Sequence, residues 1–237
     1  MTGLAPFLAE NPILTLLLIC HFLSDFQLQS QKTADFKNKD YHYLLRHFLG
    51  VALPLSLVGI MIPGLIPIIL FIFLSHVLID YYKVKLAKVL HLSAAGSFAV
   101  DQGMHLIITI SLALTASDHI LPAYLDRLPL TSLLFLVLIT KPSNIAFKIF
   151  FDRFQPKQDT KMDSIPGAGA MIGNLERIVI GICMLMGQFA SIGLVFTAKS
   201  IARYDRISKD AIFAEYYLIG SLFSILTVFL AAFICFY

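Results

Sequence analysis

Apolar runs of roughly membrane length, separated by short polar stretches, recur from one end of the chain to the other. Asn11-Pro12 opens the first, over 12–29. After a polar stretch to Arg46, an apolar run extends from His47 to Asp80, broken only by Pro63-Gly64. That run is too long for one crossing of a ~30 Å hydrocarbon core, and Pro-Gly is a turn signal, so it predicts two helices joined by a very short loop. Further runs follow at 99–116, 129–150, 170–204 and 215–237. None alternates polar and apolar residues as barrel strands do. The expected fold is all-α, a polytopic transmembrane helix bundle of about eight spans, one of them a short helical hairpin. It forms a single domain over 1–237, with a His/Asp-bearing half (1–116) and a Lys/Arg/Glu-bearing half (129–237).

The segment 170–204 fits one tilted helix or two short ones turning near Gly187-Gln188, and charge decides between them. With the N-terminus outside, loops 30–46, 81–98 and 151–168 fall in the cytoplasm and hold four, three and three Lys/Arg. Loop 117–128 on the other face holds one, and the N-terminal tail none. A single helix over 170–204 would put Lys199, Arg203, Arg206 and Lys209 outside, against the positive-inside rule, whereas a hairpin keeps them inside. A multi-pass protein of the cell (inner) membrane with both termini non-cytoplasmic is therefore expected. No internal repeat suggests an inverted-repeat transporter. The N-terminal segment lacks a basic region and a small-residue cleavage site, so no removable signal peptide is expected.

Composition agrees with lipid as the solvent: 58% of residues are hydrophobic, 14% are charged, and mean hydropathy is +0.81. A soluble domain averages about 25% charged residues. The basic residues sit in loops rather than in one patch, so the net charge of +3 implies no nucleic-acid partner. Cys20, Cys183 and Cys235 lie in apolar runs without CxxC spacing and read as small buried hydrophobes. Trp is absent, which leaves Tyr to anchor the interface.

Ionisable groups inside spans cost on the order of 2.5–3.5 kcal/mol each on insertion scales, so they call for a reason. Here they are ordered. His21 and Asp25 lie on span one, His76 and Asp80 on span three, Asp101 and His105 on span four. Each pair is spaced i,i+4, on one helix face about a turn apart. The inward-running spans read His then Asp, and the outward-running one reads Asp then His. All three pairs thus place Asp nearer the cytoplasm and His one turn deeper, and His47 joins them from the start of span two. Neutral imidazole and carboxylate are the usual ligands of Zn²⁺ and similar divalent metals. His21, Asp25, His47, His76, Asp80, Asp101 and His105 are therefore candidate ligands for one or two ions, Zn or Mn. The bland alternative is a set of interhelical hydrogen-bonded pairs. His42, His91 and His119 fall in loops and are expected to be solvated.

A second set is Lys141, Lys148, Glu176, Arg177, Lys199, Arg203 and Glu215. Two readings stay open: mutual neutralisation, with Glu176 and Glu215 paired to Arg177, Lys199 or Arg203, or an anion pocket, since Arg and Lys grip phosphate. Lys141-Pro142, deep in an apolar run, leans to function because snorkelling from there is harder. Pro166-Gly-Ala-Gly169, followed by Gly173, allows close backbone approach to an anion, and helix initiation explains it equally well.

The runs "HFLSDFQLQSQKTADFK" from His21, "SHVLIDYYK" from Ser75, "DQGMHL" from Asp101, "GAGAMIGNLERIVI" from Gly167 and "AKSIARY…EYYLIGSLFS" resemble a bacterial membrane family, domain of unknown function 3307, over nearly the whole chain. Intramembrane His/Asp helices are more loosely similar to the proteins named membrane-bound metal-dependent hydrolases, and in ligand choice to the all-helical zinc phospholipase C group. That second likeness is one of chemistry alone.

The residues lead to an expected function: a membrane-embedded, metal-dependent hydrolase acting from the cytoplasmic side on a phosphoester or lipid-like phosphate. The ion would make hydroxide available near neutral pH. Asp25 would act as general base, and Lys141, Lys199 or Arg203 would stabilise charge on phosphate oxygens. The expected partner is a membrane lipid or amphiphilic phosphate. Alternatives are a cation transporter or channel using the His/Asp cluster, against which the nearly apolar outward halves of the spans count although discontinuous helices could still provide a path, and a non-catalytic structural subunit.

Overall fold

The computed structural model describes residues 4–116, 119, 121–156 and 167–237. Among them every regular element is helical: α1 (Ala5–Glu10), α2 (Pro12–Phe22), α3 (Gln31–Phe36), α4 (Tyr41–Met61), α5 (Ile66–Val89), α6 (Ala94–Leu114), α7 (Ala123–Asp126), α8 (Leu130–Leu138), α9 (Lys141–Phe150), α10 (Ala168–Leu185), α11 (Phe189–Ala202), α12 (Tyr204–Lys209) and α13 (Ala211–Phe236). Six stretches are long and apolar enough to cross a membrane: Tyr41–Met61, Pro63–Val89, Ala94–Leu114, Leu130–Phe150, Ala168–Leu185 and Ala211–Phe236. Pro12–Gln27 and Phe189–Ala202 are shorter apolar helices. At ~1.5 Å per residue the former reaches about 24 Å, short of the ~30 Å core. The protein is a multi-pass membrane protein, and the eight expected spans resolve into six full-length helices and two short ones.

The side chains the helices turn outward bear this out. Leu45, Leu49, Leu53, Leu57 and Ile60 form one exposed stripe along α4, while His47, Val51, Leu55 and Val58 form the buried one. Between 22% and 33% of each crossing segment is buried against protein, so most of the apolar surface faces outward, as lipid requires.

Local chemistry sets the breaks. Asp40 caps α4 by accepting from the His42 amide, and Ser93 caps α6 by accepting from Gly96. Pro63 opens the 3₁₀ turn Pro63–Leu65 that leads straight into α5, as the Pro-Gly signal predicts. Gly187, with φ +69°, ends the connection between α10 and α11, which pack on each other as the expected hairpin. The stretch expected at 129–150 is interrupted at Ile139-Thr140. Pro142 cannot donate to the Leu138 carbonyl, and the Ser143 hydroxyl bonds it instead (2.7 Å). Loop positions 157–166, including Lys157, Lys161 and Pro166, lie outside the described residues.

The chain divides into two compact units, Met1–Val137 with Cys235–Tyr237, and Leu138–Ile234. In the first, α5 packs on α4 and α6, and α2 packs on α4 and α6. Leu14, Leu17, Val51, Leu55, Val58, Leu65, Ile69 and Ile72 form its apolar core. In the second, Ile180, Met184, Ile192, Tyr217 and Val228 are buried.

Candidate metal centre

The inward stripes of the first unit change character along their length. On α6 the buried residues are Asp101, His105, Thr109 and Ala113, one per turn. On α5 they are Ile69, Ile72, His76 and Asp80, and on α4 His47 precedes Val51, Leu55 and Val58. On α2 Leu14 and Leu17 precede His21. Each helix is thus apolar at one end of the unit and polar at the other. The seven residues expected as ligands are all between 2% and 7% exposed and converge there.

Asp25 reaches the cluster by an unexpected route. After Phe22 the helix widens to a π-turn over Leu23–Gln27, closed by Leu28 N–H to Leu23 O (2.8 Å). Wider turns of this kind concentrate at functional sites. The widened turn directs Asp25 toward α4 and α5: its Oδ1 lies 3.2 Å from His76 Nε2 and 3.8 Å from His47 Nε2. His47 Nε2 lies 3.1 Å from His76 Nε2 and 2.7 Å from Asp80 Oδ2, and His76 Nε2 lies 3.4 Å from the same oxygen. His105 stacks on His76 with ring centroids 4.0 Å apart, and its Nε2 lies 3.7 Å from Asp101 Oδ1. Three overlapping groups bring ligand atoms within 4.8 Å of one another: His21, Asp25 and His76; His47, His76 and Asp80; Asp80, Asp101 and His105.

Residues not expected from the sequence hold this set in place. Gln102, next to Asp101, donates to Asp25 Oδ2 (2.9 Å) and Asp101 Oδ2 (3.4 Å) and accepts from His21 Nε2 (3.3 Å). Lys83 donates to Asp101 Oδ2 (2.6 Å), and Lys37, itself buried, spans both oxygens of Asp80 (3.1 and 3.2 Å). Asp25 and Asp101 therefore each fix one oxygen outward and turn the other inward. The inward oxygens, Asp25 Oδ1 and Asp101 Oδ1, are buried without a hydrogen bond, as are His105 Nε2 and His47 Nδ1. Carboxylates and imidazoles positioned by outer partners, with the inner atom left for an ion, are how proteins orient metal ligands. The signal for these helpers was present in the sequence: Gln102 lies within the quoted "DQGMHL", and Lys37 and Lys83 close the two other quoted runs.

A surface cleft of about 240 Å³ reaches the cluster, lined by Lys37, Asn38, Lys39, Tyr41, Asp80 and Tyr81 among others. Tyr41, Tyr81 and Tyr82 are more than half exposed at this end, as an aromatic belt at headgroup depth would be. His42 and His91 are exposed, as expected, whereas His119 is not solvated: it is half-buried with its ring against Gly64. Gly64 has no Cβ, and the space this leaves is what admits the ring.

In the second unit most polar side chains find partners, although Glu176 Oε1 is buried without a hydrogen bond. Arg177 donates through Nε to the Ile139 carbonyl and through Nη2 to Thr140 O (3.3 Å), Asn144 and Asn174 (3.0 Å). It thereby serves the Ile139 carbonyl where α8 gives way to α9, and adds to Thr140 O, which also accepts from Asn144 N–H (3.3 Å). Lys199 is bound to Glu176, reaches Ser221 (3.4 Å) and stands over the Tyr217 ring. Of the expected neutralising pairs, Glu176 with Lys199 is present. Glu215 is not paired: it is exposed near the start of α13, where its charge needs no partner, and no ion pair to it occurs among the described residues. Lys199 and the exposed Arg203 line a cavity of about 200 Å³ together with Asn144, Glu176, Arg177 and aromatic side chains. Lys141, half-buried, begins α9, and Gly167, with φ +83°, precedes α10.

Residues 13–128 match the sequence model of a family described as a protein of unknown function, DUF3307, and this segment of the chain belongs to it. The match contains every residue of the His/Asp cluster and ends before α8, so the quoted motifs from Gly167 onward lie outside it. No match was found among curated proteins or solved structures.

Proposed function

We propose that the DUF3307 segment holds a catalytic divalent ion, Zn or Mn, on His47, His76 and Asp80, and that the protein is a membrane-embedded phosphoester hydrolase. The observation that carries this is the spacing of three donor atoms on two helices, 2.7, 3.1 and 3.4 Å apart. Bonds of 2.0–2.1 Å to a tetrahedral ion set its ligands about 3.3 Å apart. Three protein ligands and one open position are the usual plan of a catalytic site, and Asp25 Oδ1, buried and without a hydrogen bond, stands beside that position. The bound ion would make hydroxide available near neutral pH. Asp25 would accept the proton of the attacking water, whose oxygen bonds to phosphorus as the ester P–O bond breaks, and the proton then passes to the leaving oxygen.

The cleft past Lys37 and Lys39 favours an anionic substrate, and its position among exposed tyrosines suits a lipid-like phosphate. Lys141, Lys199 and Arg203, expected to stabilise phosphate charge, belong to the second unit, and no step is assigned to them. The Lys/Arg distribution supports a cytoplasmic cleft in the cell membrane with both termini outside. Single introduced cysteines beside Lys37, Lys85 and Arg206 should then label from one side, and Arg206 labelling from the other would remove the α10–α11 re-entry from this topology.

A second reading, proton or cation transfer, has one observation in its favour. Three carboxylates against Lys37 and Lys83 leave one net negative charge, which a single imidazolium would neutralise. Against it, among the described residues the buried stripes continue beyond the cluster mainly as Leu14, Leu17, Val51, Leu55, Ile69 and Ile72, with Thr15 and Thr109 as isolated polar groups. The test is hydrolysis of bis(p-nitrophenyl) phosphate and of phospholipid vesicles by the purified full chain. Activity lost on chelation, restored by Zn²⁺ or Mn²⁺ and absent in His76→Ala supports the hydrolase; bound metal without hydrolysis of either favours the transfer reading.

A further inference from the structure

We infer that the centre is binuclear, with a second divalent cation held by Asp101 Oδ1 and His105 Nε2 and sharing Asp80 with the first. This rests on the metal reading above and extends it to donors that one ion leaves unused. A single ion on His47, His76 and Asp80, with Asp25 beside it, does not use Asp101 or His105. Yet those two present the same signature: Asp101 Oδ1 and His105 Nε2 are buried, 3.7 Å apart, and without hydrogen bonds. Leaving two such atoms facing each other in a bundle that turns its outer surface to lipid would cost free energy on both, and a shared cation removes both penalties.

The outer partners of Asp101 make the arrangement specific. Lys83 and Gln102 both take Oδ2, which turns Oδ1 toward His105. The same Gln102 amide holds Asp25 Oδ2, so one side chain sets the inward oxygens on both sides of the cluster. Asp80 has ligand atoms within 4.8 Å of His47 and His76 on one side and of Asp101 and His105 on the other, the position of a bridging carboxylate. The His76 and His105 rings are stacked with centroids 4.0 Å apart. Rings this close suit two-metal hydrolytic sites, whose ions lie ~3.5–4 Å apart, one activating the nucleophile and the other steadying the leaving oxygen. Charge is consistent as well. The cluster's single net negative charge, two dications and one hydroxide together leave +2, which an anionic phosphoester offsets in part or in full.

The test is metal stoichiometry and spin coupling of the full chain in detergent, stripped with chelator and reloaded with Mn²⁺. Two ions per chain with an exchange-coupled electron paramagnetic resonance spectrum are expected, falling to one ion and an uncoupled spectrum in His105→Gln and in Asp101→Asn. The two variants guard against a single misfolded one, and each is accepted only if it stays monodisperse by size exclusion. One uncoupled ion in the wild type, unchanged in both variants, overturns the second position and leaves the first standing. No bound ion overturns both.

Discussion

The guanidinium of Arg177 in the second unit and the imidazoles of the first are both polar groups buried in helices whose outer faces meet lipid, and their surroundings differ. Arg177 places Nε and Nη2 on carbonyl and amide oxygens, and Lys199 is bound to Glu176. In the first unit the outer oxygens of Asp25 and Asp101 are held just as firmly, but the inner ones, with His105 Nε2, are left without hydrogen bonds. A network that only fastens helices together gains nothing from such gaps, because each buried unsatisfied group costs about 1–3 kcal/mol. Burial of charge alone is therefore a poor guide to function in this protein. The informative feature is convergence: Glu176 Oε1 is a single such gap beside Lys199, whereas Asp25 Oδ1, Asp101 Oδ1 and His105 Nε2 lie together among further imidazoles and carboxylates.

The comparison can be broken at four points. The largest effect is expected from Asp80→Asn, which removes a ligand and leaves the buried Lys37 ammonium without its carboxylate. A loss of roughly 3–5 kcal/mol is expected in thermal unfolding in detergent, with much of it recovered in the double variant Lys37→Met, Asp80→Asn. If the double variant is no better than the single, the charge is not what Asp80 compensates. Next is removal of the ion. Wild-type protein at free metal a hundred times Kd should gain about 2.7 kcal/mol over the chelated form, and His76→Ala should gain nothing. Protons compete with the ion for imidazole nitrogen, so this gain should fade as pH drops below about 6 and return as it rises. A gain that persists at pH 5 would place the ion elsewhere.

Arg177→Met comes third, at about 1–3 kcal/mol for the Ile139 carbonyl left unsatisfied, with metal content unchanged. A loss of metal in this variant would mean that the two polar clusters are not independent. The smallest effect belongs to Glu215→Gln. Because Glu215 is exposed, its melting curve should stay within about 0.5 kcal/mol of wild type. A large loss would restore the pairing that the sequence suggested and the structure lacks.

Much of this architecture could be read from residues, because the signals were local. Pro63-Gly64 and Gly187-Gln188 are turn chemistry inside apolar runs, and both produce the helix reversals they predict. The order of His and Asp along alternate helices encodes depth, and the seven side chains meet as that order implies. What was hidden depends on contacts distant in sequence or on backbone choices that composition does not specify. The π-turn at Leu23–Gln27 lies inside what reads as a regular i,i+4 pair, and it turns Asp25 toward α4 and α5. Lys37 looks like a solvated loop cation until α3 delivers it to Asp80, 43 residues away. Arg177 fits an anion-binding set by residue type, but its partners are the Ile139 and Thr140 carbonyls at the break between α8 and α9, 38 and 37 residues away.

The most direct test is elemental analysis of the full chain purified without chelator, beside His76→Ala from the first unit and Arg177→Met from the second. The account predicts stoichiometric Zn or Mn in the wild type and in Arg177→Met, and none in His76→Ala. Metal-free wild-type protein that takes up neither ion on addition, or equal metal in wild type and His76→Ala, would contradict it.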